Sequence, residues 1–282
     1  MLPEKSDSAD IHSSELPQVS QEDIVKAFTD IGIVPGDILL IHSSLKSFGT
    51  VIGGPLTVIN AAKEAVTAQG TVVFPTLVQR DFAHAYENWD INTSPSDVGL
   101  ISETFRLLPD SVRSDQATHS VAAWGSRAVE LTHEHSSYGP RMGPFGDYCF
   151  SYSSPWQKMY LYGARIAFLG VGTRYNTFKH FVEYGLMESY CQSIRDIGQR
   201  CRAMSEIRRF QTAGVWPFLN SDQMDVLLKG NDLISYAQCG HSLFTSFKAD
   251  DFADIVYREC KRNPDTWFSP DCLEWLRKYS IK

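Results

Sequence analysis

Asp37-Ile38-Leu39-Leu40-Ile41-His42 is a short, almost unbroken apolar run that follows a Pro35-Gly36 turn. Six residues are too few for an ordinary helix, and continuous apolarity fits a strand buried on both faces. Ser43-Ser44-Leu45 leaves this strand, and Gly49 to Pro55 forms a glycine-rich loop. Leu56 to Thr67 has the spacing of a helix, Gly70 ends it, and Thr71-Val72-Val73-Phe74-Pro75 is a second strand. Strand, loop, helix, strand is the pattern of an α/β domain.

The same alternation extends outward. Ser20 and Asp23 make a capping-box start for a helix whose apolar face is Ile24, Ala27, Phe28 and Ile31. A helix is expected over 99–107, a strand at Ser120-Val121-Ala122-Ala123-Trp124, a strand at Arg165 to Val171, and a helix from Thr177 to about Tyr190. Asp250 to Cys260 and Pro270 to Tyr279 read as helices, within a C-terminal third of short mixed elements. Residues 133–155 are rich in Gly, Pro, Ser and Tyr and are too long for a plain connection, as binding segments and lids often are. Residues 1–20 are polar and acidic and are expected to be a flexible tail. Residues 21–282 are expected to form a single domain.

Composition narrows the function classes. The chain has 282 residues, 43% apolar content and a net charge of −7. That length supports one sizeable core. No lysine–arginine cluster of the kind nucleic acids require is present, and no apolar run reaches the roughly 18–20 residues of a membrane helix. The N-terminus lacks the layout of an export signal, so a cytoplasmic location is expected. None of the six cysteines forms a CxxC pair, and free buried thiols are expected. No metal site is expected; His133-Glu134-His135 reads as a solvated helix end. The chain carries no P-loop lysine motif, no GxSxG elbow and no HExxH. Gly170-Val171-Gly172 lacks the third glycine of a dinucleotide fingerprint.

Two constellations could carry chemistry. In Asn176-Thr177-Phe178-Lys179-His180-Phe181-Val182-Glu183, an H-x-x-E spacing puts both side chains on one helix face. A histidine there can take a proton from an attacking amine, and a carboxylate can fix its tautomer. His42-Ser43-Ser44-Leu45 with Gly49 and Gly53-Gly54-Pro55 is a hydroxyl-rich loop at a strand end, whose free N–H groups can approach phosphates.

Together these segments resemble the aminoglycoside 3-N-acetyltransferase (antibiotic N-acetyltransferase) family. Gly36-Asp37-Ile38-Leu39-Leu40-Ile41-His42-Ser43-Ser44-Leu45-Lys46-Ser47-Phe48-Gly49 matches its G-D-x-L-x-x-H-S-S-L-x-x-x-G segment, and Gly53-Gly54-Pro55 its G-G-P turn. Gly70-Thr71-Val72-Val73-Phe74-Pro75-Thr76 matches its G-T-x-x-x-P-T. Ser94-Pro95-Ser96, Gly99, Glu103, Phe105 and Arg106 match its S/T-P-S-x-x-G-x-x-x-E-x-F-R. Arg113-Ser114, His119-Ser120-Val121-Ala122-Ala123-Trp124-Gly125, Leu169-Gly170-Val171 and Asn176-Thr177…His180…Glu183 follow in order. The likeness runs over roughly residues 36–185.

The resemblance implies acetyl transfer from acetyl-CoA, as cosubstrate, to a primary amine. It implies a three-layer α/β/α fold around a mixed sheet, distinct from the GNAT acetyltransferases. His180 would be the general base, Glu183 its supporting carboxylate or a substrate contact, and Thr177 one candidate donor to the oxyanion. His42, Ser43, Ser44, Leu45 and Thr76 would line the coenzyme path, with Ser114, His119 and Ser120 near the same channel. The expected partner is a small-molecule amine; a homodimer is compatible with it. Two departures stand out. The family's R-S-x-H-P is here Arg113-Ser114-Asp115-Gln116-Ala117, and its short G-E-x-S-P link is here stretched between Gly146-Asp147 and Ser154-Pro155 by Tyr148-Cys149-Phe150-Ser151-Tyr152. Both lie where an acceptor could be gripped. A biosynthetic amine other than an aminoglycoside is therefore an alternative acceptor, and a catalytically silent CoA-binding module is the alternative from another class.

Overall fold

The computed structural model of the chain describes residues 17–78, 84–208 and 214–281. Helices are α1 (Gln21–Asp30), α2 (Pro55–Val66), α3 (Leu100–Arg106), α4 (Ala128–Thr132), α5 (Pro155–Leu161), α6 (Phe178–Ser193), α7 (Ile197–Arg208), α8 (Ser221–Gly230), α9 (Ala249–Arg262), α10 (Pro264–Trp267) and α11 (Pro270–Lys278). Strands are β1 (Gln18–Val19), β2 (Ile38–Ser43), β3 (Thr50–Val51), β4 (Thr71–Pro75), β5 (Val112–Arg113), β6 (Val121–Gly125), β7 (Arg165–Leu169), β8 (Ser235–Cys239) and β9 (Ser242–Lys248).

Seven strands form the main sheet in the order β5-β6-β4-β2-β7-β9-β8. The apolar run around Ile38–Ile41, β2, lies at its centre, parallel to β4 on one side and β7 on the other. The flanking pairs β4–β6, β5–β6, β7–β9 and β8–β9 are antiparallel, so the sheet is mixed.

Alternation along the strands divides the core into two layers. Ile38, Leu40, Val73, Val121, Ala123, Ile166, Phe168 and Phe247 face a cluster that includes Trp156, Phe178, Phe181, Phe252 and Trp275. Leu39, Ile41, Val72, Phe74, Ala122, Ala167, Leu169 and Phe244 face the other way, against Ile24, Phe28, Val58, Ile59, Ala62 and Phe105. Helices α1, α2 and α3 thus cover one face, and α5, α6 and α9 are among those on the other. The result is a three-layer α/β/α architecture.

The N-terminal reading needs one correction. Residues 1–16 of the expected tail lie outside the described residues, but Gln18–Val19 pairs in parallel with Thr50–Val51. Ser20 then caps α1: its Oγ accepts from Asp23 N, and Asp23 Oδ2 accepts from Ser20 N at 2.9 Å. Two residues paired to a distant loop give no periodic signal, which is why the sequence concealed them. The β8–β9 hairpin was also missed. It turns at Gly240, with φ +56°, where an added Cβ would lie 2.3 Å from the Phe48 carbonyl oxygen. Among the cysteines, Cys149, Cys191, Cys239, Cys260 and Cys272 are buried and free, whereas Cys201 is exposed. Among the described residues no helix is long and apolar enough to cross a membrane.

Candidate active site

The parallel strands β2, β4 and β7 all run toward one edge of the sheet, and a cavity of about 990 Å³ opens there. This is the usual place for a ligand in an α/β sheet, because strand ends leave loops and helix N-termini free to face it. β2 delivers His42, Ser43, Ser44, Leu45 and Lys46 to the cavity wall, β4 delivers Pro75, and β7 delivers Gly170, Val171 and Gly172. Gly170 has φ +65°, and a Cβ there would lie 1.7 Å from Ser47 Oγ, so the close crossing beneath the cavity requires glycine. The N-terminal end of α6 completes the wall with Asn176, Thr177, Lys179 and His180. Lys46, Arg174 and Lys179 stand against one lining carboxylate, Asp97. That balance favours an anionic ligand.

Just ahead of α6, Asn176 Oδ1 accepts from Phe178 N at 3.0 Å, across the N-cap position Thr177, whose own side chain makes no capping bond. One turn on, His180 Nδ1 lies 2.8 Å from Glu183 Oε2. Glu183 is fully buried. Its Oε1 accepts from Leu219 N at 2.9 Å and its Oε2 from Trp216 Nε1 at 3.1 Å. Since the carboxylate accepts every bond it makes here, the Nδ1 of His180 carries the proton, and its Nε2 holds the lone pair. The imidazole is one-fifth exposed and lines the cavity. An imidazole with a fixed tautomer and a free lone pair in a cleft can accept a proton from a bound substrate.

Aromatic rings brace the same imidazole. Phe145 meets it edge to face with centroids 4.8 Å apart, Phe150 lies at 6.4 Å and His119 at 6.2 Å. Phe145 and Phe150 come from the long segment 133–155. That segment is pinned by Arg141, whose Nε bonds Glu188 Oε2 at 2.9 Å and whose guanidinium lies 4.1 Å from the Tyr152 ring centroid. Gly143 packs so closely on Tyr184 that a Cβ would lie 2.2 Å from the ring. Tyr184 Oη in turn accepts from Phe145 N at 2.8 Å.

The expected site residues separate into two groups. His42, Ser43, Ser44, Leu45, Thr177 and His180 share the cavity wall; Glu183 sits directly behind His180. Thr76, Ser114, His119 and Ser120 are not among the lining residues. Thr76 and Ser120 are buried and bond each other, Oγ1 to Oγ, at 2.9 Å, and Thr76 also accepts from Arg113. Ser114 Oγ accepts from Val121 N at 2.9 Å and meets His135 Nδ1 at 2.8 Å. These hydroxyls knit β4, β5 and β6 together, and internal partners saturate them. His119 is buried beside His180, with its main-chain carbonyl accepting from Trp156 Nε1.

His135 also departs from expectation. Instead of a solvated helix end it is a buried strut, with Nε2 donating to the Cys149 carbonyl at 3.0 Å and Nδ1 accepting from Ser114. Among the described residues, no group of three or more His, Cys, Asp or Glu side chains is arranged to hold a metal.

Three histidines are held neutral. Burial pushes His42 and His135 down to about 3, and burial together with the neighbouring His180 and His135 pushes His119 well below its usual range. In the unfolded chain the same groups titrate near 6.5. Below about pH 6.5 the unfolded state therefore binds protons that the folded state refuses. The stability these groups contribute is complete above pH 6.5 and declines as the pH falls toward 3, at up to roughly 1.4 kcal/mol per pH unit for each. Urea unfolding between pH 7 and pH 5, above the range of most carboxylates, should show the loss, and His135→Gln should flatten the curve. A midpoint that stays constant from pH 7 to pH 5 would contradict it.

With this geometry in place, comparison with known proteins is informative. The family profile described as aminoglycoside 3-N-acetyltransferase matches residues 40–259, well over half of the chain. The chain belongs to the aminoglycoside 3-N-acetyltransferase family. It is similar to the SPbeta prophage-derived aminoglycoside N(3')-acetyltransferase-like protein YokD of Bacillus subtilis (strain 168), with 29% identity over 194 residues, 62% of this chain and 68% of that one. It is 31% identical to aminoglycoside N(3)-acetyltransferase IV of a Salmonella species over 163 residues, 57% of each chain. This chain thus spans about 57–68% of the length of these family members. Among solved structures, AAC-IIIb in a binary complex with CoASH superposes with a TM-score of 0.69 at 17% identity, covering 90% of this chain and 99% of that one, a likeness of fold.

The sequence reading missed Trp216 and Leu219, which hold Glu183 from beyond the motif stretch 36–185. One signal was available: a tryptophan that becomes buried must find an acceptor for its indole N–H. It singled out Gln116 as a departure from the family pattern but missed its partner Tyr86. Gln116 stands where the family pattern has its histidine. Its Nε2 donates to Tyr86 Oη at 2.6 Å, and Tyr86 Oη donates to the Phe145 carbonyl at 2.9 Å. The residue that departs from the pattern therefore supports the loop ring packed on His180.

Proposed function

We propose that this chain transfers an acetyl group from acetyl-CoA to a primary amine of an aminoglycoside-like acceptor, directly, with His180 as general base. The observation that carries this reading is the arrangement of His180, whose Nδ1 is held by a buried carboxylate while the imidazole opens on a cavity with a cationic rim. The binding of CoASH by AAC-IIIb, a protein of the same fold, supports the choice of cosubstrate. Lys46, Arg174 and Lys179 suit the phosphates of CoA, and the small residues at the ends of β2 and β7 leave room for its pantetheine arm.

The chemistry runs as follows. The acceptor arrives as an ammonium and must lose a proton before its lone pair can attack. His180 Nε2 takes that proton, directly or through one water. The amine nitrogen bonds to the thioester carbonyl carbon, and charge develops on the oxygen, where Thr177 and nearby N–H groups are the available donors. The C–S bond then breaks. The imidazolium returns a proton to the departing CoA sulfur, and the second nitrogen proton leaves to solvent. Acetylated amine, CoASH and one proton result. No acyl-enzyme is needed.

The replacement of the family's H-P pair by Gln116-Ala117, with Gln116 turned onto Tyr86, favours a second acceptor class, a biosynthetic amine other than an aminoglycoside. Thiol release from acetyl-CoA, measured with a panel of aminoglycosides and simple amino compounds, tests both. Release with an aminoglycoside, with the acetylated aminoglycoside identified by its mass, is the expected result. Release only with simpler amines would assign the second class. Failure to bind acetyl-CoA would overturn the reading.

A further inference from the structure

Glu183 cannot hold His180 alone. A buried carboxylate needs donors for its remaining lone pairs, and two of its three bonds come from the segment after the first half of the molecule, at Trp216 and Leu219. Trp216 is 3% exposed and Leu219 is 2% exposed. The Leu219 contact is a main-chain N–H on Oε1. Trp216 is different in kind, because its indole N–H bonds Oε2, the same oxygen that His180 Nδ1 meets. Two donors therefore share the charge of one oxygen. The indole is also fixed edge-on against Tyr184, with centroids 5.0 Å apart and planes at 70°.

We infer that Trp216 is a positioning residue that sets the proton affinity of the His180–Glu183 pair, through its indole N–H on the shared carboxylate oxygen. The inference rests on the reading of His180 as the base. An N–H on Oε2 draws charge from the oxygen and weakens its hold on the imidazolium. With the indole N–H removed, Oε2 has more charge for the imidazolium, and the pair binds its proton more tightly. The base is then occupied to a higher pH. The other ionisable groups facing the pair are His119, whose ring lies edge-on to His180, Cys260 on α9, and Tyr184 and Lys179 on α6 itself. His119 is held neutral by its burial, and the Cys260 thiol is pushed far up by burial, so neither changes charge near neutrality. Tyr184 is likewise held well above its usual range.

The test uses Trp216→Phe and, as a second variant, site-specific replacement of the Trp216 indole by benzothiophene, which keeps the bicyclic shape and lacks the N–H. Two quantities are read in the full chain. One is the titration of the His180 imidazole followed by NMR, which needs no acceptor. The other is the acid limb of kcat/KM. The expected result is an upward shift of roughly half a unit or more in the imidazole titration, the scale of losing one hydrogen bond to a charged group. The acid limb should move with it, so that activity falls by about threefold below the limb and stays within about twofold of the parent on the alkaline plateau. A merely structural tryptophan would lower activity evenly across pH and leave the imidazole titration in place in the benzothiophene variant, and that result would overturn the inference. A parent enzyme whose rate ignores the His180 titration, while the variants still shift that titration, would remove the base assignment and keep the coupling of Trp216 to the pair.

Discussion

His180→Ala is expected to lower turnover by roughly 10²–10⁴-fold, the usual weight of a positioned acid–base group. The loss should appear in kcat. Acetyl-CoA affinity should change little, because the cavity wall offers the coenzyme Ser43, Ser44 and the cationic rim independently of the imidazole. The fold should also persist, since His180 is partly exposed and makes one side-chain hydrogen bond, to Glu183. Thiol-release kinetics with a calorimetric titration of acetyl-CoA separate these effects. A variant that turns over at the parent rate would exclude His180 as the base.

The second large effect falls on Glu183, where activity and stability separate. Glu183→Ala removes the acceptor from three donors at once. Trp216 Nε1 and Leu219 N are then buried and unpaired, at about 1–3 kcal/mol each. This variant should unfold at clearly lower urea. Glu183→Gln keeps the shape and one carbonyl oxygen. If that oxygen stays on Leu219 N, the amide nitrogen faces both the indole N–H and His180. The imidazole is then driven to the other tautomer, with its lone pair toward the amide and its proton toward the cavity, which is the wrong form for a base. Glu183→Gln should therefore lose roughly 10²-fold or more in kcat with a smaller stability loss than Glu183→Ala. Parent-level turnover in Glu183→Gln would show that the carboxylate does not set the tautomer.

The centre of the fold was legible because its signals are local. A continuous apolar run bounded by Pro35-Gly36 and Ser43-Ser44 could hardly be anything but a strand buried on both faces, and it lies between two parallel neighbours. The H-x-x-E spacing was enough to predict that His180 and Glu183 share a helix face, and they meet at 2.8 Å.

What could not be read depends on chain segments meeting from far apart. Thr76, Ser114 and Ser120 are hydroxyls in the right motifs, yet whether a hydroxyl serves a ligand or a neighbouring strand depends on which acceptor lies beside it in space. Here Thr76 and Ser120 bond each other across 44 positions of sequence. His135 reads as polar and exposed at a helix end, but the fold places the Cys149 carbonyl against it. Trp216 lies 33 positions from the carboxylate it holds, with no periodicity to announce the contact. Short strands such as Gln18–Val19 depend on their partner and not on their own sequence.

The central claim, that the His180 imidazole accepts the acceptor's proton, is tested most directly by chemical rescue. Thiol release by His180→Gly is measured with acetyl-CoA and the best acceptor while free imidazole and its methylated analogues are added. The account predicts that the variant is nearly silent alone, that added imidazole restores release in a saturable way, and that more basic analogues of equal size rescue better. Release by the variant at the parent rate without any added base would contradict it.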